Sequence, residues 1–193
     1  MLPLLIIFAY LIASISMAII ICKILDLPDP RTQGSNNPGA TNVLRIGGKK
    51  AAAATLIGDG LKGFIPVALG HYLGFGAQEL VLIALGAFLG HIYPIFFGFK
   101  GGKGVATFIG SLLALNYFAG LAFIATWLFV AKVLKISSLS ALIATFLTPL
   151  FFYLLTKELE ATYILAVICI WIFYTHRSNI KRMLSGEEDS IKS

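Results

Sequence analysis

Residues 2–22 run without a single charged side chain, and several more apolar runs follow within a chain of 193 residues. A helix of roughly 20 such residues spans the hydrocarbon core of a bilayer, where backbone polar groups have no water to pair with. Repeated runs of this length restrict the chain to a bundle of membrane-crossing helices. The balance of 58% hydrophobic to 12% charged residues agrees, since soluble domains carry about 25% charged residues. It excludes disorder, and Cys22 and Cys169, each inside an apolar run, do not make a disulfide scaffold. Residues 1–193 are expected to form one transmembrane domain, with no room for a soluble one. Met1-Leu2-Pro3-Leu4 has no basic residue, so a cleavable signal peptide is not expected.

Spans are expected at residues 2–22, 51–73, 79–94, 139–155 and 161–174, with 105–134 dividing into two near Asn116-Tyr117 and Gly120. The fold class is then an all-α integral membrane protein with seven transmembrane helices. Residues 31–50 read as a folded surface loop, because their polar, glycine-rich backbone cannot cross lipid unpaired. With seven spans, both glycine-rich loops and the C-terminal tail share one side. Of the 15 Lys and Arg, all but Lys62 and Lys157 fall on that side, Lys192 included. By the positive-inside rule the N-terminus is outside and the C-terminus cytoplasmic. The net charge of +6 is thereby mostly topology, and no nucleic-acid partner is implied.

Topology does not require those cations to sit among Gly, Ser and Asn, and that pattern points to anion binding. The first segment offers Ser35, Asn37, Thr41, Asn42 and Arg45, with Gly34 and Gly39 freeing backbone N–H groups. An ordinary Asn-Pro-Gly turn accounts for it equally well when it is taken alone. The second, Phe99-Lys-Gly-Gly-Lys-Gly104, sets Lys100 and Lys103 around Gly101 and Gly102, with Gly104 leading into a helix whose N-terminus favours phosphate. It is not a Walker loop, because Gly104 stands where Ser or Thr is needed. The third, Thr175-His-Arg-Ser-Asn-Ile-Lys-Arg182, supplies His176, Arg177, Asn179 and Arg182 at the membrane boundary. Snorkelling cations and an interfacial cap are the plainer reading of that stretch. Ser138 and Ser140 open the sixth helix, where they either bind phosphate or cap it. Glu187-Glu188-Asp189 reads as a solvated tail. Asp59 and Lys62, at i and i+3 inside a span, are read as a buried pair supporting the site, and His91 as a brace for the second segment.

Together these residues resemble the bacterial acyl-phosphate-dependent glycerol-3-phosphate acyltransferase family, known as PlsY, over essentially the whole chain. Its first block is met by Gly34, Ser35, Asn37, Gly39, Ala40, Thr41, Asn42 and Arg45, and its Asp-x-x-Lys-Gly by Asp59, Lys62 and Gly63. The second block is met by Gly90, His91, Pro94, Phe96 and the run from Phe99 to Gly104. The third is met by His176, Arg177, Asn179, Ile180, Arg182, Gly186 and Glu188. Asn36 stands where many members have Gly.

The resemblance implies transfer of a fatty acyl group from a long-chain acyl phosphate to glycerol 3-phosphate, giving lysophosphatidic acid and phosphate. That is the first step of bacterial phospholipid synthesis, in the inner (cytoplasmic) membrane with the site on its cytoplasmic face. Arg45, Lys103 and Ser35 with Asn37 are expected to hold phosphate groups, and His176 and Asn179 to orient glycerol 3-phosphate. No cofactor or metal is expected, and a monomer is. His-x-x-x-x-Asp, used by other glycerolipid acyltransferases, is absent: Gly76, Phe96 and Lys181 stand fifth after His71, His91 and His176. The competing class is a small transporter of an anionic metabolite, with Asp59 and Lys62 marking its path. Against it, no inverted repeat is evident and the unusual residues gather at one face. A phosphotransferase would need an acidic metal cluster, whereas Asp26, Asp29 and Asp59 are scattered.

Overall fold

A computed structural model describes residues 1–191 and is helical, with no strand among the described residues. Lys192, counted among the tail cations, lies outside them. The order is α1 (Leu2–Ala13), α2 (Met17–Ile24), α3 (Ala40–Tyr72), α4 (Ala77–Ile92), a 3-10 turn (Ile95–Phe97), α5 (Val105–Leu115), α6 (Tyr117–Leu134), α7 (Ser137–Thr156), α8 (Leu159–Thr175) and α9 (Arg177–Leu184). Five stretches are long and apolar enough to cross a membrane: Leu2–Ile24, α3, Ala77–Phe97, α6 and α7. The bent pair α8 and α9, at 55°, makes a sixth when taken as one. At 11 residues α5 is apolar but short, about 16 Å at 1.5 Å per residue.

Two expectations about elements are corrected. The first span is broken: α1 ends at Ala13 and α2 starts at Met17, because Ser14-Ile15-Ser16 leaves the helical path. Ser14 Oγ donates to the Tyr10 carbonyl at 2.8 Å, a side-chain bond that competes with the helix ladder. The polar segment 31–50 is not all loop, since α3 begins at Ala40 and kinks at Gly48, where φ is 76°. Residues 40–47 thus form a short polar helix that lifts Thr41, Asn42 and Arg45 out of the loop. The division of residues 105–134 falls at Asn116, whose side chain accepts from Ala119 N–H at 2.9 Å and caps α6.

The central core joins Phe88, Phe108, Phe123, Phe152, Leu165 and Ile168, with Phe108 and Phe123 edge to face at 5.9 Å. Phe129, Phe146 and Ile170 face outward, as lipid-facing residues do. Helices α3 and α5 approach so closely that a Cβ on Gly110 would lie 1.9 Å from the Gly60 carbonyl oxygen, and one on Gly63 2.1 Å from that of Thr107. Small residues at such an interface let backbones meet where no hydrophobic effect drives helices together. Gly110→Val is therefore expected to force α3 and α5 apart, lowering the thermal midpoint in detergent and abolishing turnover together. A variant that keeps both would show that this crossing is not required.

Candidate active site

The polar segments converge on one cavity of about 500 Å³. Its polar end is walled by Ser35, Asn37, Gly39, Thr41, Asn42 and Arg45 from the first loop and α3, Lys103 and Gly104 before α5, and Ser137 and Ser138 at the start of α7. His176, Asn179, Arg182, Glu188 and Asp189 complete that end. From it an apolar arm runs between α3, α5 and α6, lined by Leu56, Leu61, Phe64, Ile109, Leu113 and Trp127. A space polar and cationic at one end and hydrocarbon-like along the other suits an amphiphile with an anionic head.

Glu188 organises the polar end. Ser138 Oγ and Asn179 Nδ2 both donate to its Oε1 at 2.6 Å, and Arg182 Nε donates to its Oε2 at 2.7 Å. Burial raises the Glu188 pKa, but those bonds and the Arg182 charge outweigh it and hold it below the usual carboxylate value. Lys103 Nζ donates in turn to Asn179 Oδ1, so the lysine, the amide and the carboxylate form one chain of bonds. Burial is the largest influence on Lys103 and brings its pKa from the ordinary 10.5 down to about 8, with Glu188 opposing and Arg182 and Arg45 assisting. Arg45 pairs with Asp189 at 3.0 Å.

Local geometry explains how each segment is held. Gly104 takes φ +89°, and a Cβ there would lie 2.1 Å from the Phe88 ring, so only glycine lets Lys103 precede α5 at this angle. Thr175 Oγ1 donates to the Lys103 carbonyl at 3.1 Å, tying this loop to the end of α8. His176 is buried, with Nδ1 2.8 Å from the Ile172 carbonyl. A carbonyl only accepts, so a neutral ring carries its proton on Nδ1 and keeps Nε2 as an acceptor.

Not every residue singled out in the sequence reaches the cavity wall. Ser35, Asn37, Gly39, Thr41, Asn42, Arg45, Lys103, Gly104, Ser138, His176, Asn179 and Arg182 line it. The Asn42 side chain is spent on the loop itself, accepting from Ser35 N–H at 2.9 Å and donating to the Pro30 and Gln33 carbonyls at 2.8 and 2.9 Å. Ser140 donates to the Ile136 carbonyl within its own helix at 2.7 Å. Arg177 lies over the Tyr174 ring, 4.4 Å from its centroid, outside the cavity lining, and Lys100 is exposed outside it. Gly101 and Gly102 pack beneath, where a Cβ on Gly102 would meet His91 Nε2 at 2.3 Å. His91 itself reaches the wall together with Asp59.

Glu188 is a correction, since its side chain is buried at the cavity wall, whereas Glu187 and Asp189 are exposed as expected, Asp189 at the cavity mouth. The available signal was Gly186 just beyond α9. It takes φ +73°, and the Glu187 N–H returns to the Arg182 carbonyl at 2.8 Å, the reversal a glycine makes at a helix C-terminus.

Comparison with known proteins shows the family. The family model described as glycerol-3-phosphate acyltransferase matches residues 3–186. The glycerol-3-phosphate acyltransferase of Ruthia magnifica is 68% identical over 187 residues, covering 97% of this chain and 95% of that protein. The one of Haemophilus influenzae is 53% identical over 184 residues, covering 95% and 92%. A crystal structure of PlsY, an integral membrane glycerol 3-phosphate acyltransferase, in its glycerol 3-phosphate form superposes with a TM-score of 0.94 at 39% identity, covering 99% of this chain and 96% of that one. Its lysophosphatidic acid form gives 0.91 at 38% identity, covering 98% and 94%. On sequence, fold and near-complete mutual coverage alike, the chain belongs to the PlsY family of integral membrane glycerol-3-phosphate acyltransferases.

Proposed function

We propose that this protein transfers a fatty acyl group from acyl phosphate to the 1-hydroxyl of glycerol 3-phosphate, releasing lysophosphatidic acid and inorganic phosphate. The observation that carries the reading is the shape of the cavity, whose cationic end continues into an apolar arm between α3, α5 and α6. The anionic ends of both reactants and a long acyl chain need such a space, and the PlsY relatives of known structure were obtained with glycerol 3-phosphate and with lysophosphatidic acid.

In this reading Arg45, Lys103 and Ser35 with Asn37 hold phosphate groups, and His176 and Asn179 orient glycerol 3-phosphate. The 1-hydroxyl oxygen bonds to the acyl carbonyl carbon, the carbonyl carbon–phosphate oxygen bond breaks, and the hydroxyl proton leaves with the phosphate. Acyl phosphate is a mixed anhydride, so positioning and cationic stabilisation of the leaving phosphate supply most of the barrier reduction. Glu188 holds Asn179 and Arg182 in place for this step.

Topology follows from the same reading. The broken first span, α3, α4, α5, α6, α7 and α8 make seven crossings, with short α5 completing a hairpin with α6. That parity puts every segment of the polar end on one side, and the cationic loops make it the cytoplasmic side of the bacterial inner membrane. One domain of residues 1–193 carries the activity as a monomer.

The test is turnover by purified protein in detergent with glycerol 3-phosphate and either long-chain acyl phosphate or the matching acyl-CoA, following phosphate and lysophosphatidic acid. Product from acyl phosphate alone is expected. Product from acyl-CoA alone overturns the donor assignment, and none from either, in folded protein, overturns the enzyme reading.

Lys103 gives this activity a pH dependence with a definite sign. Its pKa is depressed to about 8, so the charged form is complete below that pH and is lost as pH rises through it. The value of kcat/KM is expected to fall about tenfold per pH unit above 8 in the free enzyme. Lys103→Arg stays charged throughout, so its residual activity is expected to show no such limb. An unchanged limb in that variant assigns it to another group.

A further inference from the structure

The intramembrane pair Asp59 and Lys62 has a task that an ion pair alone does not explain. Lys62 Nζ lies 2.8 Å from Asp59 Oδ1, and both side chains are almost fully buried. The same Nζ donates to the Ile15 carbonyl at 2.9 Å, just beyond the C-terminus of α1. The Asp59 carboxylate faces the backbone N–H of Met17, the first residue of α2. Ser16, at the N-cap of α2, makes no side-chain capping bond of its own. Met17 seats against α3 at Gly58, where a Cβ would lie 2.7 Å from its Cγ.

Each charge therefore meets the helix end of opposite partial charge: the ammonium at the C-terminus of α1, the carboxylate at the N-terminus of α2. Inside a membrane the backbone groups freed by a break have to find partners within the protein. Asp59 also reaches the cavity wall, where its Oδ1 packs 3.8 Å from His91 Nδ1, farther than a hydrogen bond. The His91 carbonyl accepts from Gly102 N–H at 3.3 Å, next to Lys103.

We propose that Asp59 and Lys62 are a positioning pair that caps the break between α1 and α2 and, through His91, fixes the Gly101-Gly102 turn that presents Lys103. The positioning half rests on the proposed acyl transfer; the capping half does not. What the pair must supply is an acceptor at position 59 and a donor at position 62, and its net charge is secondary.

This separates it from a plain salt bridge and from a proton or ion path. Four variants in detergent decide: Asp59→Asn, Lys62→Gln, the neutral double Asp59→Asn with Lys62→Gln, and the exchange Asp59→Lys with Lys62→Asp. Thermal midpoint, kcat and KM for glycerol 3-phosphate are read for each. Either single change leaves a buried charge unpaired. Each is expected to lower kcat about tenfold with KM within about twofold, and to lower the midpoint.

The neutral double keeps acceptor and donor and is expected to recover kcat to within about threefold of wild type and most of the midpoint. The exchange presents a donor to an N–H and an acceptor to a carbonyl, so it is expected to be worse than either single change or not to fold. Rescue by the exchange overturns the proposal in favour of simple charge pairing. A folded neutral double without activity overturns it in favour of chemistry that needs the ionised groups. Singles that lose midpoint but keep kcat overturn the positioning half. If wild type itself shows no acyl transfer, the functional reading falls, while the order of thermal midpoints still tests the cap.

Discussion

Lys103→Met is expected to lower kcat/KM for acyl transfer by about three orders of magnitude, with the thermal midpoint unchanged or slightly raised. Methionine keeps the apolar stem and removes the charge, so the loss isolates what the ammonium does. A charged donor held where negative charge develops typically contributes a factor of about 10²–10³. Lys103 sits at the higher end because its surroundings are partly desolvated, the cause of its pKa near 8. That desolvation opposes the charged form in the free enzyme, and removing the charge relieves it, which is why stability does not suffer. In the proposed reaction charge develops on the bridging phosphate oxygen as the mixed-anhydride bond breaks, and Lys103 is the cation tied by Asn179 to the residues that orient the acceptor. Turnover in detergent with acyl phosphate, beside a melting curve, gives both quantities. A loss below tenfold in folded protein moves the role to Arg45 or Arg182.

The parts of this molecule that were legible in sequence are those governed by local rules. Uninterrupted apolar runs gave α4, α7 and α8 to within a few residues, because lipid-spanning helices need no partner to be recognised. Asn116 was legible as a break because an asparagine that caps a helix does so with its own side chain. The break at Ser14-Ile15-Ser16 was not, since the Ile15 carbonyl it frees meets its donor in Lys62, 47 residues away in the chain. The helical start of α3 was hidden by glycine-rich wording that reads as loop, and the packing of Val43 with Ala18, Cys22 and Ala51 in a second cluster is a tertiary contact that the wording does not reveal.

At the site the residue types were right but their tasks were not all legible. Asn42 is an anion binder by type, yet its amide holds the loop. Ser138 and Ser140 look alike in sequence, and only Ser138 faces Glu188. Three-residue spacing on a helix separates neighbours from non-neighbours, but residues two apart point differently, and that decided between them. Glu188 was misread because charge runs beyond a last span are usually solvated, and the groups that draw it in include Ser138, 50 residues away, besides Asn179 and Arg182 on α9.

Glu188→Gln is expected to lower kcat/KM about a hundredfold, a larger loss than its apparent conservatism suggests. One glutamate oxygen accepts from Ser138 and Asn179 and the other from Arg182. A glutamine can satisfy the first two with its carbonyl, but its NH₂ then faces the Arg182 guanidinium, donor against donor. Either Arg182 is displaced from the cavity wall, or the amide flips and Asn179 loses the acceptor that aims it at Lys103. A side chain left unpaired in a half-buried network is penalised beyond the bond itself. The carboxylate pKa is depressed, so the docked tail is stabilised above the usual carboxylate range and the contribution fades as pH falls through the lowered value. Hydrogen exchange reads this directly: the Glu187 and Ile191 amides, bonded to the Arg182 and Lys135 carbonyls, are expected to be protected at neutral pH in the wild type and unprotected in Glu188→Gln. Lost activity with the tail still protected makes Glu188 a group acting on substrate instead of one that holds the site together. Full activity with an unprotected tail removes it from the site altogether.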